Sequence, residues 1–530
     1  MNEATNKNFK QVFPNIKKAL ENASFIGIDL EFTGLPASNT DIFFNDAESR
    51  YQSLRSSIDS YTIIQFGLTT FHYDSERRKY EAATYSFYLL PRTTPSTNRH
   101  ISWQVSTLEF LSAHKFDFNK IVYDGISFLN TKDQALLEEL MKSNKFLSSI
   151  ESQLSYEDGC TIKDSINKIQ DWLAKQKTST MFLTVTSPYM KYLLHKDIRS
   201  RFPNIWTING DKFITAMKVS PSLRSILQKE EKEFLEQDLL DSYIGFSKVI
   251  SLLQNLKKPL VGHNLFFDLM FIYQQFYEPL PRAYTKFKRA IHSLFPNIYD
   301  TRYISLKMQE DYISEGKWKG SSLLELYKHF KTGHGSTLIK DAPEVYISGQ
   351  KEFDQTMHHA GWDSYISVYL FSRFLCLHDA KDGVRKIETN DHATPLQQLK
   401  RFEKFANYTI APRCLTKYIS LAGADTWSNH PVIHVKTLGQ PVTMKKIVNE
   451  FSHFGTVDML YCSKQEAVLT VASTQRAQKI MQHFQSNQQF YVSPYRIPFW
   501  KFRHIKMIPL LQGRPWVLFS KFWRKLGGRF

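Results

Sequence analysis

Two carboxylates punctuate an otherwise apolar octapeptide, Phe25-Ile26-Gly27-Ile28-Asp29-Leu30-Glu31-Phe32. The two-residue period of a β-strand sends Ile26, Ile28, Leu30 and Phe32 to one face and Asp29 and Glu31 to the other. One face is core, and the other either lies as a solvated edge or holds a metal. Two further patches weigh against the edge. Val261-Gly262-His263-Asn264-Leu265-Phe266-Phe267-Asp268 runs from an apolar strand at 259–261 through a glycine turn into a helix predicted to reach about residue 276. Asn264 suits the N-cap, and four residues apart on a helix Asn264 and Asp268 look toward one pocket. Phe266, Phe267, Leu269, Met270, Phe271 and Ile272 leave Asp268 alone in a nearly continuous apolar stretch. An unpaired carboxylate is costly there, and a metal removes the cost. The third patch, His358-His359-Ala360-Gly361-Trp362-Asp363, precedes the apolar run 365–371. Five residues along a helix is about 140° of rotation, so His358 and Asp363 diverge if both lie inside it. The histidine is therefore placed on a mobile segment before the helix, as suits a general base, with Asp363 as a ligand and His359 as a structural residue.

Taken together, the patches describe a two-metal nuclease site. Two hard cations need several oxygen ligands, carboxylates above all, with positions left open for phosphate and water. The segments FIGIDLEFTGL, IIQFGLTTF, FLSAHKFDFNKIVYDGISFLN, GFSKVI, LVGHNLFFDLMFIYQQFYEPLP, FPNIYDTRYIS and HHAGWDSYIS follow one another in this order. In them the chain resembles the DEDD exonucleases with histidine in the third motif, and more narrowly the poly(A)-specific ribonuclease family, over most of residues 10 to 375. The resemblance implies an α/β, ribonuclease H-like nuclease domain with a mixed sheet. It also implies two divalent cations, Mg2+ or alternatively Mn2+, on Asp29, Glu31, Asp268 and Asp363, with His358 as general base. Asn264 would lie near the scissile phosphate. Phe32 and Leu35 would contact the terminal nucleotide, with core packing as the alternative. Asp300 is either a group behind the ligands or a strand-end cap. Within the family a general deadenylase competes with a trimmer of PIWI-interacting RNA precursors, and FPNIWTI and FKRAIHSLFPNIYDT read closer to the trimmer.

Composition agrees with an intracellular nucleic-acid enzyme. The 530 residues suggest about three domains, and 42% hydrophobic content allows a sizeable core. Cys160, Cys376, Cys414 and Cys462 are isolated, which argues against a zinc ribbon or a secreted disulfide framework. The polar amino terminus shows no cleavable signal peptide, so a cytoplasmic protein is expected, with placement at the mitochondrial outer membrane surface as the further option.

A discontinuous nuclease domain is expected at 10–149 and 246–378, around strands near 25–31, 61–71 and 84–90. An inserted, mainly helical region at 150–245 includes a charged helix around Lys229-Glu230-Glu231-Lys232-Glu233. In the family this insert is a small RNA-binding domain; here Lys191, His195, Arg199 and Arg201 are only a degraded echo of its motif, so RNA contact is doubtful. A linker and helix occupy 379–430. An RNA-recognition-motif-like α+β domain at 431–497 has strands at 432–435, 459–462, 467–471 and 489–492, with helices at 444–454 and 475–484. Its strand 467–471 carries no stacking aromatic, and Tyr461 is the one candidate stacker.

The tail, 498–530, is basic and aromatic. Trp516, Phe519, Phe522 and Trp523 interleave with Lys521, Arg524 and Lys525, and no run approaches the roughly 20 apolar residues of a membrane span. It suits either RNA or an anionic membrane surface. Family trimmers usually end in a membrane anchor, a pattern from which this chain departs. Besides single-stranded RNA 3′ ends, the expected partners are a small-RNA-binding PIWI protein or adaptor, a second copy of the chain, and a membrane contacted peripherally. The expected activity is 3′-to-5′ exoribonuclease, releasing 5′ mononucleotides. A poly(A) deadenylase, a DNA 3′ exonuclease and an inactive RNA-binding adaptor are the alternatives.

Charge separates two tasks. Residues 401 to 530 hold 19 Lys or Arg against 5 Asp or Glu, a balance of +14 out of the chain's +17. Attraction to phosphate belongs there rather than in the nearly neutral nuclease region. Deleting 501–530 removes eight basic residues and no ligand. The truncated enzyme should bind RNA more weakly at low salt, with a shallower dependence of affinity on salt and near-normal turnover at saturation. If the tail docks on membrane instead, fractionation changes and RNA affinity does not.

Overall fold

The computed structural model describes residues 2–35, 46–94, 99–142, 154–175, 178–185, 188–210, 213–230, 234–311, 318, 321–339, 342–347, 358–381, 394–411, 416–425, 431–439, 444–454, 457–461, 463, 465–471 and 474–495. The tail 498–530 and part of the charged stretch 229–233 lie outside them.

The chain has an α/β fold on a mixed sheet. Strands β1 (Asn2–Ala4), β2 (Phe25–Phe32), β3 (Ile63–Asp74) and β4 (Lys79–Tyr88) come first. Here β2 pairs antiparallel with β3, β3 antiparallel with β4, and β1 lies parallel to β4. After an insert holding β5 (Thr180–Thr184), β6 (Ile205–Asn209) and β7 (Phe213–Lys218), the chain returns as β8 (Leu260–Gly262) and β9 (Ile298–Asp300), then β10 (Glu344–Ile347). Strand β8 runs parallel to β2, β9 parallel to β8, and β10 parallel to β4, giving the order β1-β4-β3-β2-β8-β9 with β10 beside β1 on β4. The acid-bearing strand is thus interior to the sheet and not an edge.

The helix Ala360–Lys381 crosses the face of β2 that carries Asp29 and Glu31. It is buried along nearly its whole length, with apolar residues on every face and Asp363, Arg373 and Asp379 buried among them. Contact with the sheet is backbone-close because glycines stand beneath it. A Cβ on Gly67 would overlap the Ala360 carbonyl, and one on Gly27 would meet the Val368 side chain and the Ser364 carbonyl oxygen. Beside them Thr69 Oγ1 hydrogen-bonds Ser364 Oγ at 2.8 Å, and Phe25 meets Phe371 edge-on at 5.3 Å. The far end of the helix is tied by Asp379, whose carboxylate accepts from Arg401 Nε at 2.9 Å and Nη2 at 2.7 Å.

The insert was expected to be mainly helical, and its helices Tyr156–Lys175, Pro188–Arg201, Pro221–Glu230 and Phe234–Ile244 are accompanied by a three-stranded antiparallel sheet in the order β5-β7-β6. Its outward positions carry Phe182, Ile208 and Phe213, 64%, 47% and 40% exposed, so the apolar–polar alternation that marks a half-buried strand is masked. The basic residues here have intramolecular partners. His195 is buried with Nδ1 2.7 Å from Thr207 Oγ1, Arg199 Nε donates to the same hydroxyl at 2.7 Å, and Lys191 donates to the Gly210 carbonyl. Arg201 pairs with Asp197 at 2.6 Å.

Two compact units result: the described residues of Met1–Leu35, Ser57–Pro281 and Ala290–Asn407, and those of Pro36–Ser56, Arg282–Arg289 and Tyr408–Phe530. The insert belongs to the first, and the expected linker 379–430 divides at 407. In the second unit, Asp425 accepts from the buried Lys288 ammonium at 2.8 Å and the Tyr284 hydroxyl at 3.0 Å. After the hairpin β11 (Tyr408–Ile410) and β12 (Tyr418–Ser420) come β13 (Val432–Thr437), β14 (Val457–Tyr461), β15 (Glu466–Val471) and β16 (Phe490–Pro494), with helices Met444–Ser452 and Thr474–His483. The last four strands form an antiparallel sheet in the order β14-β15-β13-β16. Both faces of β15 are closed to solvent: Ala467, Leu469 and Val471 pack in the core, and Val468 and Thr470, on the opposite face, are 3% and 1% exposed. Among the described residues no helix is long and apolar enough to cross a membrane.

Gly67→Ala tests the helix–sheet contact. The overlapping atom is backbone and cannot swing aside, so the variant should lose about 2–3 kcal/mol or more of stability, at the upper end of overpacking costs, with the expected nuclease activity lost in parallel. Denaturant unfolding and an activity assay on the same preparation check this.

Candidate active site

Strand β2, the start of the helix Phe266–Phe276 and the start of the helix Ala360–Lys381 bring the sequence-predicted acids together. Asp29 and Glu31 project from the middle of the sheet. Beside them, Asp268 accepts a hydrogen bond from the Leu30 backbone amide. Ligand atoms of Glu31, His358 and Asp363 all lie within 4.8 Å of one another.

Electrostatics show what the cluster lacks. Burial, then the charges of Asp363, Asp268 and Glu31, hold the Asp29 carboxyl well above the usual range. Burial and the same two aspartates do so for Glu31. Asp268 is pushed up to about 8, chiefly by burial with Asp300 adding to it, and Asp363 up to about 7 by burial. Like charges so placed cannot all ionise without a counter-charge. Asp363 Oδ1, moreover, is buried with no hydrogen-bond partner among the described residues. Hard oxygen donors, repelling one another and with a lone pair unused, fit a divalent cation. Asp29, Glu31, Asp268 and Asp363 are the residues that would hold it.

Positioning of Asp268 differs from the capped-helix expectation. Asn264 is not the N-cap: the helix begins at Phe266 after Leu265, and Asn264 sits at φ +67°, a left-handed conformation that asparagine tolerates better than most residues. The turn is held from the next strand. Asp300, wholly buried at the end of β9, accepts from the amides of Asn264 at 2.9 Å, Leu265 at 3.2 Å and Arg302 at 2.9 Å. Asp300 therefore ties the turn into Asp268 to β9, as a capping carboxylate behind the site.

His358 precedes its helix, at φ +61°, with its amide donating to Asp363 Oδ2 at 3.1 Å. Partial burial and the neighbouring His114 lower its pKa, favouring the neutral imidazole that a general base requires. Its neighbour is fixed in the sheet: His359 contacts Gln65 Nε2 at 3.2 Å and Ser86 Oγ at 3.4 Å, while Gln65 Oε1 accepts from the Ala360 amide at 2.9 Å. Gln65, which stands opposite Glu31 in the sheet, was missed from the sequence; an amide inside the apolar run of β3 was the available signal. Phe32 is buried and stacked on Phe271 at 4.1 Å, so its described contact is core packing. Leu35 is 43% exposed, with its amide held by Gln104 Oε1 at 3.0 Å. Tyr461 ends β14 opposite Ala467, and its side chain lies outside the described residues.

Comparison with known proteins gives the family to which the chain is similar. Residues 4–371 match the family described as CAF1 family ribonuclease. The chain is 30% identical over 514 residues to the pre-piRNA 3′-exonuclease trimmer of Bombyx mori, covering 93% of each chain. It is 28% identical to poly(A)-specific ribonuclease PNLDC1 of Mus musculus, covering 92% of each. Against poly(A)-specific ribonuclease PARN of Xenopus laevis it is 26% identical, covering 93% of this chain and 80% of that one.

Asp268→Asn should abolish hydrolysis yet leave the fold intact, and activity within tenfold of wild type would sink the ligand assignment. Stability gives the sign of the charge effect. A carboxyl raised from about 4 in the unfolded chain holds its proton more tightly when folded, so its contribution is full at low pH and is lost as pH rises through the folded value. In EDTA the wild-type melting temperature should therefore fall as pH rises from about 4, where the unfolded carboxyls ionise, and level off once pH passes about 7–8, the folded values of Asp363 and Asp268. The variant, with one ionising group fewer, should fall less and melt higher than wild type at the alkaline end.

Proposed function

The chain belongs to the CAF1 family of ribonucleases and is a 3′-to-5′ exoribonuclease; we propose that it works with divalent cations, Mg2+ first and Mn2+ as substitute, on the 3′ ends of PIWI-interacting RNA precursors. The observation that carries the chemistry is the convergence of four carboxylates, Asp268 and Asp363 buried and Asp29 and Glu31 half-buried, beside a histidine with lowered pKa. Cations bound there supply charge stabilisation for the attacking and leaving oxygens of an in-line phosphoryl displacement. His358 takes a proton from the attacking water at an imidazole nitrogen. As the new P–O bond forms, the bond from phosphorus to the preceding nucleotide's 3′ oxygen breaks; that oxygen takes up a proton from solvent, leaving a new 3′ hydroxyl and a released 5′ mononucleotide. In this reading Asn264, in the turn before Asp268, orients the scissile phosphate, and the half-exposed Leu35 meets the terminal nucleoside.

The strand arrangement supports a ribonuclease H-like reading of the first unit, in which an antiparallel β4-β3-β2 ribbon continues through parallel β8 and β9. The order β14-β15-β13-β16, with one helix after the first strand and one after the third, supports the RNA-recognition-motif-like reading of residues 431–497. With β15 closed on both faces, that domain is read as a support and phosphate-attracting element, not a base reader. The choice of substrate rests on the Bombyx mori relative, which matches across 93% of both chains. Cytoplasmic placement, a PIWI-protein or adaptor partner, self-association and membrane contact through the tail remain part of this proposal.

Three measurements test it. Matched RNA and DNA oligonucleotides with Mg2+ should give 3′-to-5′ shortening of RNA alone, and equal cutting of DNA would overturn the RNA assignment. His358→Ala should lower turnover about 10²–10⁴-fold, the usual contribution of a general base. In cells lacking the protein, extended small-RNA precursors are expected, whereas lengthened poly(A) tails would make it a deadenylase.

A further inference from the structure

His358 does not stand alone over the carboxylates. Its ring meets Phe110 at 4.6 Å and 71°, and His114 at 4.4 Å and 70°. Those two rings in turn lie 4.5 Å apart. Phe110 and His114 are four residues apart at the end of the helix Val105–Ala113, so one helical turn presents both to the same spot. His114 Nδ1 lies 2.8 Å from the Phe110 carbonyl oxygen. A carbonyl only accepts, so Nδ1 carries the proton, and the bond fixes the plane of the ring. Phe110 is 42% exposed and makes this contact beside the site rather than within the core.

Little else described restrains the imidazole. The His358 amide is tied to Asp363 and the next residue to Gln65 and Ser86, but these bonds fix the backbone and leave rotation about the side-chain bonds free. Edge-to-face ring pairs are the geometry in which aromatic contacts favour one orientation over others.

We propose that Phe110 and His114 are positioning residues that hold the His358 ring in the orientation from which it acts as base. The inference rests on the reading of His358 as that base. It requires rings at 110 and 114 and does not require the second nitrogen of His114. The pair acts on turnover through His358 and makes no contribution to RNA binding.

The experiment uses the full chain, a single-stranded RNA oligonucleotide with a free 3′ hydroxyl, and Mg2+. His114→Ala and Phe110→Ala should each lower kcat about three- to tenfold, the factor matching one lost ring pair, with KM unchanged within about twofold. His114→Phe should restore most of kcat, and His114→Gln should not. In a His358→Ala background, His114→Ala should cause no further loss, since nothing remains to be positioned. Unchanged kcat in both alanine variants overturns the proposal. So does rescue by glutamine but not phenylalanine, which would indicate a polar role, or an equal loss with and without His358. A rise in KM alone would make the pair a substrate contact. Should His358→Ala itself keep wild-type turnover, the base reading fails, and that outcome is read independently of the variants at 110 and 114.

Discussion

The geometry of the acidic cluster depends on one contact, the seating of the helix Ala360–Lys381 directly on β2 and β3 at Gly27 and Gly67. Any side chain at either position would lift the helix off the sheet. Asp363 lies in the first turn of that helix, so its distance from Asp29 and Glu31 is set by backbone packing and not by side-chain reach. Gln65 adds direction. By accepting from the Ala360 amide and meeting His359, it fixes where the helix starts along β3, which places His358 just before it.

That seating creates an electrostatic conflict that the apolar core cannot relieve. Four carboxylates share a site from which most water is excluded, and burial raises the pKa of each. A protein relieves such a conflict by protonation, by displacement or by a cation. Displacement is resisted by the sheet beneath β2 and by Asp300, whose buried carboxylate ties the turn before Asp268 to the neighbouring strand. The surroundings are rigid where the charge is least comfortable, as expected where function, not stability, selects the residues.

Local pattern made much of this legible. The alternation in β2 separated core from carboxylates, the apolar surroundings of Asp268 marked it as exceptional, and the helical turn angle kept His358 outside the helix that carries Asp363. Features joining distant segments were not legible. Asn264 had the chemistry of an N-cap, yet a carboxylate some 36 residues later fills that role, because strand β9 happens to end beside the turn. The ring cluster around His358 pairs it with residues about 250 positions away, and no local period announces such a meeting. In the insert, exposed Phe182, Ile208 and Phe213 hid the strands by making both faces look apolar.

The parallel pairing of β2 with β8 has a consequence for how the enzyme comes into being. Strand β2 emerges from the ribosome early, but its parallel neighbour follows about 230 residues later, and the helix that closes its acidic face later still. A parallel pair needs a crossover of only about a dozen residues, and this one is far longer, so pairing at the centre of the sheet closes late. Until then Asp29 and Glu31 sit on a strand with one unpaired side and an open face. A partly made chain therefore carries Asp29 and Glu31 without Asp268, His358 and Asp363, and the cluster can be completed only once residue 363 has been made.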